Sequence, residues 1–491
     1  MKAQFFRSHD DFVTAQESRD YRILPFRFMR WQDGRVFLAS DAGEWAFLNN
    51  EDFQLFTEGR LSRTSPSFRD LKSKQILSDS ESTIPLQLLA TKLRTKYSFL
   101  EGFTSLHMFV VTLRCDHSCP YCQVSRVTEN RSRYDMSEAT AARAVEWVFR
   151  SPSPILKVEF QGGESLLNFP LVQTIVELVE ARNTSERRDV EFVIATNLSQ
   201  LSDDMLDFCR SHGILLSSSL DGPETLHNGN RPRPGADSHA RFSANLQRAR
   251  AALGHDQVSA LMTTTEQSLQ DPEGIVDEYV RLGFPSLFVR PISPYGFALR
   301  SKQAYRYEID AFLAFYKRAL DRVIYWNRQG VPIVETYSQL LLRKLLTPFP
   351  TGYVDLQSPA GLGISAIIYN YDGDVYASDE GRMLAEMKDT SFRLGNVHTD
   401  RYGDVMGGQY LQSIVAQSCT YTIPQCTECA FAPFCGSDPV YNWATQGDIV
   451  GHRPTSGFCR KHMGLFRHLI GLTESPDQFT RDLMVQWATR Q

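Results

Sequence analysis

Cys115, Cys119 and Cys122, in the run Arg114-Cys-Asp-His-Ser-Cys-Pro-Tyr-Cys, carry the densest chemistry in the chain. Their C-x3-C-x2-C spacing brings three thiolates to one loop. Three thiolates leave one iron of a [4Fe–4S] cube without a protein ligand, whereas clusters that only carry electrons close that position with a fourth cysteine. An open iron suits substrate or cofactor chemistry. The alternative is a zinc knot with His117 as fourth ligand, because zinc takes four ligands from closely spaced cysteines and histidines. The apolar, β-branched run 107–113 just before the triplet reads as a buried strand. A loop after a parallel strand is where α/β barrels carry their chemistry, and this placement favours the cluster.

Other reactive residue types also follow strand-like runs. Gln161-Gly-Gly-Glu164 follows one, and its glycines allow a ligand close to the backbone. Asn197 follows another, and Ser219-Leu-Asp-Gly-Pro223 ends a third. Arg231 comes soon after, with a guanidinium fork suited to a carboxylate. Near the C-terminus, Cys426, Cys429, Cys435 and Cys459 supply four thiolates, enough to close one cube; a four-cysteine zinc site is the alternative. Cys419 reads as a spare thiol and Cys209, on an expected helix, as a core thiol. Clustering of the nine cysteines, without a secretion signal, argues for metal rather than disulfides.

These residues need a scaffold. Expected strands at 107–113, 156–160, 190–194, 214–219, 258–263 and 287–290 alternate with amphipathic stretches at 137–150, 170–182, 240–253 and 272–282. Six strand–helix units imply parallel strands with right-handed crossovers, too few for a closed eightfold barrel but enough for a splayed one. Before them, three short strands separated by turns lead into a helix opened at Asn50 by an Asn cap. Residues 305–345 read as helical, Gly- and Asp-rich hairpins begin at 359, and the last 30 residues form a helical tail.

At 491 residues the chain has room for about three domains. Its 42% hydrophobic and 22% charged content is that of an ordinary globular protein. A formal net charge of −5 disfavours a nucleic-acid partner. No apolar run approaches the ~20 residues of a membrane span, and the first 30 residues lack a signal-peptide core. The expected location is the cytoplasm.

The triplet and Gly162-Gly163-Glu164 together resemble radical S-adenosylmethionine (SAM) enzymes. Ile23-Leu-Pro-Phe-Arg-Phe, residues 104–115, Gln123-Val-Ser-Arg126 and residues 159–164 are similar to the B-type radical SAM/SPASM maturases of His-Xaa-Ser peptide systems, the HxsB family. The resemblance implies a partial (β/α)6 TIM-type barrel over 104–300. It further implies a winged-helix-like α+β module over 1–95 that recognises a precursor peptide, a helical bridge over 301–350, a SPASM-like cluster module over 351–470 and a tail over 471–491. It assigns Cys115, Cys119 and Cys122 to a [4Fe–4S] cluster that binds SAM, Tyr121 to the adenine, and Gly162 and Gly163 to the SAM ammonium with Glu164 fixing their loop. Asn197 and Ser219 would meet the ribose and Arg231 the SAM carboxylate, with Asp221 in the same site as a holder of its loop. Cys426, Cys429, Cys435 and Cys459 would hold an auxiliary [4Fe–4S] cluster. A second auxiliary cluster would need cysteines where this chain has Ser358, Ser378 and Pro439, so one is expected. Asp379 matches a general base of related sulfatase-maturating enzymes. The implied partners are a ribosomally made peptide with His-Xaa-Ser repeats, a second radical SAM protein and an external electron donor. Oxidation of a protein side chain, as by sulfatase maturases, is the alternative activity, and a non-catalytic metal-binding scaffold is the alternative class.

Overall fold

The computed structural model describes residues 21–79, 82–127, 130–303 and 306–490. The first twenty residues of the 1–95 unit therefore lie outside the described residues. The N-terminal part begins with β1 (Tyr21–Ile23), then β2 (Phe26–Arg30), β3 (Val36–Ser40) and β4 (Trp45–Leu48) in an antiparallel meander. Pro25 and Leu24 interrupt the expected first strand. The helix Asn50–Thr57 is capped by Asn49, not Asn50: the Asn49 side chain accepts the Asp52 N–H at 2.7 Å. Helix Pro66–Ser73 and β5 (Leu77–Asp79), paired to β1, follow before helix Ile84–Lys96. Phe56, Phe68 and Leu71 close a small core of their own beneath the meander.

Six strands then run parallel and side by side in chain order: β6 (Leu106–Thr112), β7 (Ile155–Gly162), β8 (Asp189–Ala195), β9 (Leu215–Ser219), β10 (Val258–Thr264) and, after the short β11 (Ser286–Leu287), β12 (Val289–Pro291). Phe109, Phe160, Ile194, Leu216 and Val258 stand in one cross-strand register and share a buried core with the intervening helices. Side chains alternate between faces along a strand. Glu159 and Gln161 of β7 accordingly turn to the opposite side, where they line a cavity. Ser137, Ser202 and Asp271 each accept an N–H at the start of a helix in this layer, which satisfies donors that the helix leaves open.

The expected sixth strand at 287–290 is split. Ser286 and Leu287 pair with β13 (Val334–Glu335), while β12 pairs with β10. At this point the carboxylate of buried Glu335, the last residue of β13, accepts the Val289 N–H at 3.1 Å in place of a backbone carbonyl. The helices Ile309–Arg328 and Thr336–Leu346 flank this point. Asp277 ties the first of them to the barrel, receiving Arg322 at 2.7 and 2.8 Å and Trp326 at 2.6 Å.

The C-terminal region joins the same sheet. β14 (Ala366–Tyr369) runs parallel to β6, and β15 (Asp374–Tyr376) and β16 (Arg393–Asn396) continue antiparallel, making nine strands in all. His107 and Tyr369 meet across the β6–β14 seam at 3.0 Å. Helices Gly457–Thr473 and Gln478–Thr489 end the chain.

Candidate active site at the mouth of the half barrel

The loop after β6 carries the cysteine triplet, and its start is anchored in the protein. Arg114 is buried and grips Asp135 at 2.7 and 2.8 Å and the Leu167 carbonyl at 2.8 Å. Backbone bonds hold the rest: Cys115 N–H to Val127 O, Ser118 N–H to Pro232 O, and Phe297 N–H to Cys122 O.

Gly162 and Gly163 are required by the neighbouring backbone. A β-carbon on Gly162 would lie 1.9 Å from the Thr112 carbonyl oxygen, and one on Gly163 would lie 2.3 Å from that of Arg114. Gly162 also has φ +140°, which disfavours any side chain. The end of β7 thereby presses against the end of β6, and the N–H groups of Gly163 and Glu164 bond Thr112 O and Arg114 O. Glu164 extends the brace. Its carboxylate accepts the Leu166 N–H at 3.0 Å, the Thr196 hydroxyl at 2.6 Å and the Asn197 N–H at 2.7 Å. Burial pushes its pKa up to about 7 against those bonds.

Asn197 reaches back to the cysteine loop, with its amide nitrogen 2.9 Å from Asp116 Oδ1 and 2.8 Å from His117 Nδ1. Asp116 also receives Ser199 and Gln200. Burial alone would raise its pKa, but hydrogen bonds from His117, Ser199, Gln200 and Asn197 hold it well below the usual range. On the opposite side of the loop, Tyr121 donates to Asp221 at 2.5 Å, Arg231 Nε bonds the same carboxylate at 3.2 Å, and the guanidinium lies 5.5 Å from the Tyr121 ring centre.

Around one cavity of ≈ 1150 Å³, its open mouth included, the structure gathers the three cysteines, Tyr121, Gly162, Gly163, Asn197, Ser219, Arg231 and Asp379. Glu164 and Asp221 do not line it; both are fully buried and brace the loops that do. Asp379 begins helix Asp379–Ala385 and is held by Arg382 at 2.8 and 3.1 Å. Beside Gln161 of the glycine motif, the same wall contains Glu159, Thr263 and Arg290, which the motifs did not assign to the site. For Glu159 the signal was available, because strand alternation puts it on the face of Gln161, whose amide donates to it at 2.7 Å.

The donor set fits a cluster better than a zinc ion. Among the described residues, the group able to hold a single ion is Cys115, Asp116 and His117, which contains one thiol of the three. A zinc knot of three cysteines and His117 would need all four to converge. Each thiolate of a cube serves a different iron, so no such convergence is needed.

The second set of thiols stands elsewhere. Cys426, Cys429, Cys435 and Cys459 line a cavity of ≈ 1170 Å³ with Phe28, Met29 and Phe466. Burial, reinforced by the neighbouring thiols, pushes Cys435 up to about 12 and Cys459 up to about 11. Four mutually repelling thiolates are a donor set that bound iron neutralises. Cys419 is absent from this lining and lies 4.0 Å from the Ser358 hydroxyl. Ser358 itself bonds Thr420 at 2.8 Å, Ser378 caps the helix of Asp379, and Pro439 opens another helix. Ala360, Leu362, Ala377 and Val440 pack together in one apolar core beside them. Cys209 is fully buried in the main core.

Residues 109–278 match the Radical SAM superfamily model. Membership of that superfamily implies a [4Fe–4S] cluster and S-adenosylmethionine (AdoMet) as cofactors. An uncharacterized protein of Methanocaldococcus jannaschii is 30% identical over 114 residues, 23% of this chain; the chain spans 37% of that relative's length. Among solved structures, native anSMEcpe with bound AdoMet superposes with TM-score 0.62 at 16% identity, covering 79% of this chain and all of the other. The same enzyme is also known with AdoMet and the Cp18Cys peptide. Streptococcus suis SuiB bound to its precursor peptide SuiA gives TM-score 0.52 at 14% identity over 89% of this chain and 99% of SuiB. These likenesses establish a radical SAM α/β fold with a further C-terminal region. Among the described residues, no helix is long and apolar enough to cross a membrane.

Proposed function

We propose that this chain is a radical SAM enzyme that modifies a ribosomally made peptide carrying His-Xaa-Ser repeats, by crosslinking or oxidation. One observation carries the reading: the cysteine triplet, the Gly162-Gly163 turn, Ser219, Arg231 and Asp379 come from distant parts of the chain and share one cavity. Cys115, Cys119 and Cys122 hold the cluster. With AdoMet bound, that cofactor supplies a 5′-deoxyadenosyl radical able to abstract hydrogen from carbon.

The protein binds, orients and shields. Arg231, fixed by Asp221, offers its guanidinium to the AdoMet carboxylate. Ser219 and Asn197 stand at the ends of adjacent strands for the ribose, and Tyr121 presents a ring whose hydroxyl is already committed to Asp221. Asp379, oriented by Arg382, accepts the proton released as the substrate is oxidised. Cys426, Cys429, Cys435 and Cys459 would hold an auxiliary cluster, which would supply electron-transfer capacity, and the reducing electron would come from an external donor.

A peptide substrate is supported by the peptides bound to anSMEcpe and to SuiB. Among the described residues β2 pairs only with β3 and leaves an edge, which suits a precursor added as a strand. The His-Xaa-Ser specificity and the cooperating second radical SAM protein rest on the sequence resemblance. Asp379 in the cavity also favours a second reading, oxidation of a single protein side chain. The test is anaerobic incubation with AdoMet, reductant and the precursor, followed by tandem mass spectrometry. Formation of 5′-deoxyadenosine with a crosslinked or desaturated peptide is expected. An unchanged peptide with no 5′-deoxyadenosine refutes the proposal, and conversion of one side chain to an aldehyde selects the second reading.

A further inference from the structure

A second cleft adjoins the radical cavity, and its chemistry is different. Arg290 lines both, and Asp379 in one wall is followed directly by Glu380 in the other. The cleft collects three carboxylates from three segments: Asp355 on the turn Val354–Leu356, Glu380 in the first turn of helix Asp379–Ala385, and Asp438 capping helix Pro439–Gln446. Two cations face them, Arg290 from β12 and Lys461 from helix Gly457–Thr473. In their ionised forms the carboxylates outnumber these cations by one.

The electrostatics register that surplus. Burial pushes Glu380 up to about 7, with Asp355 as the next cause, and burial followed by Asp355 and Glu380 raises Asp438. The walls are aromatic. The Lys461 ammonium lies 5.4 Å from the centres of both Tyr337 and Phe458, so the cleft already accommodates a cation against ring faces. An independent feature also points to a ligand. Tyr295 lines the cleft at 1% exposure, and its hydroxyl has no hydrogen-bond partner among the described residues. A buried hydroxyl left in that state is costly. Among the described residues, the three carboxylates are not in a group close enough together to share a metal ion, which favours an organic cation as the occupant.

We infer that this cleft is a subsite for one basic side chain of the peptide substrate, bound by the surplus carboxylate, the aromatic walls and the Tyr295 hydroxyl while a neighbouring residue occupies the radical cavity. The inference rests on the peptide-modifying reading above. Imidazolium, ammonium and guanidinium share the required chemistry, and the test separates them.

The cluster-loaded full chain is dialysed to equilibrium against the N-acetyl methylamides of histidine, lysine, arginine and, as the neutral control, norleucine. At least one cationic probe is expected to be retained about tenfold more tightly than norleucine. Glu380→Gln and Asp438→Asn should each erase that preference, and Tyr295→Phe should weaken it several-fold, with AdoMet retention at the wild-type level in all three. Equal retention of neutral and cationic probes, or a preference that survives both Glu380→Gln and Asp438→Asn, overturns the subsite. Dialysis involves no turnover. A negative result therefore leaves the radical reading intact, and a failure to form 5′-deoxyadenosine leaves the dialysis result intact.

Discussion

Gly163→Ala tests how the mouth of the half barrel is built. A β-carbon there would stand 2.3 Å from the Arg114 carbonyl oxygen and 2.5 Å from that of Leu113. Both are backbone atoms, and Arg114 is pinned by Asp135 and Leu167, so no flexible side chain can give way. The β6–β7 junction must open, and the displacement passes straight into Cys115. Overpacking of this kind costs about 1–3 kcal/mol, and a misplacement approaching 1 Å near reacting groups lowers a rate on the order of 10²-fold. The variant is to be measured for urea midpoint, iron content, AdoMet retention and the rate of 5′-deoxyadenosine formation. Gly471→Ala is the control, since a β-carbon there meets nothing within 4 Å and alanine suits a helix at least as well. A Gly163→Ala protein with wild-type midpoint, iron and rate would refute the argument that these glycines serve backbone contact.

Alanine at Cys426, Cys429, Cys435 or Cys459 should lower iron from about eight to about four atoms per chain while AdoMet retention persists, whereas Cys419→Ala should leave iron unchanged; loss of iron from the Cys419 variant would move the fourth ligand. Asp379→Asn should still form 5′-deoxyadenosine but slow peptide product about 10²–10⁴-fold, and undiminished product would remove Asp379 from the chemistry. His107 gives a pH test. Burial lowers its pKa to about 3, so between pH 6.5 and 3 the unfolded chain binds a proton that the folded chain does not. Its contribution to stability is present above the unfolded pKa and falls with acidification by up to about 1.4 kcal/mol per pH unit. Urea midpoints at pH 7.5 and 5 should diverge more for the wild type than for His107→Asn, and parallel losses would sink this assignment.

Local patterns made part of this protein legible. The thiol spacing at Cys115, Cys119 and Cys122, the Gly162-Gly163 pair and the β-branched runs of β6 to β10 are short-range signals, because alternation, turn chemistry and ligand spacing are written within a few residues. The sixth strand was misjudged for the opposite reason. Glu335, 46 residues beyond Val289, accepts its N–H in place of a backbone carbonyl, and no window around Phe288 contains it. Glu164 and Asp221, expected as holders of their loops, are buried and hydrogen-bond Asn197 and Arg231.

Residue types and their spacing named the thiols that could ligate iron. Packing alone settled what else reaches them. β14 docks on β6 across some 260 residues of chain, and that single seam carries Asp379 into the radical cavity and Glu380 into the cleft beside it. The energy of such a seam lies in buried surface and paired backbone groups contributed by both partners. Neither partner's local sequence contains it, so it exists only once the sheet has formed.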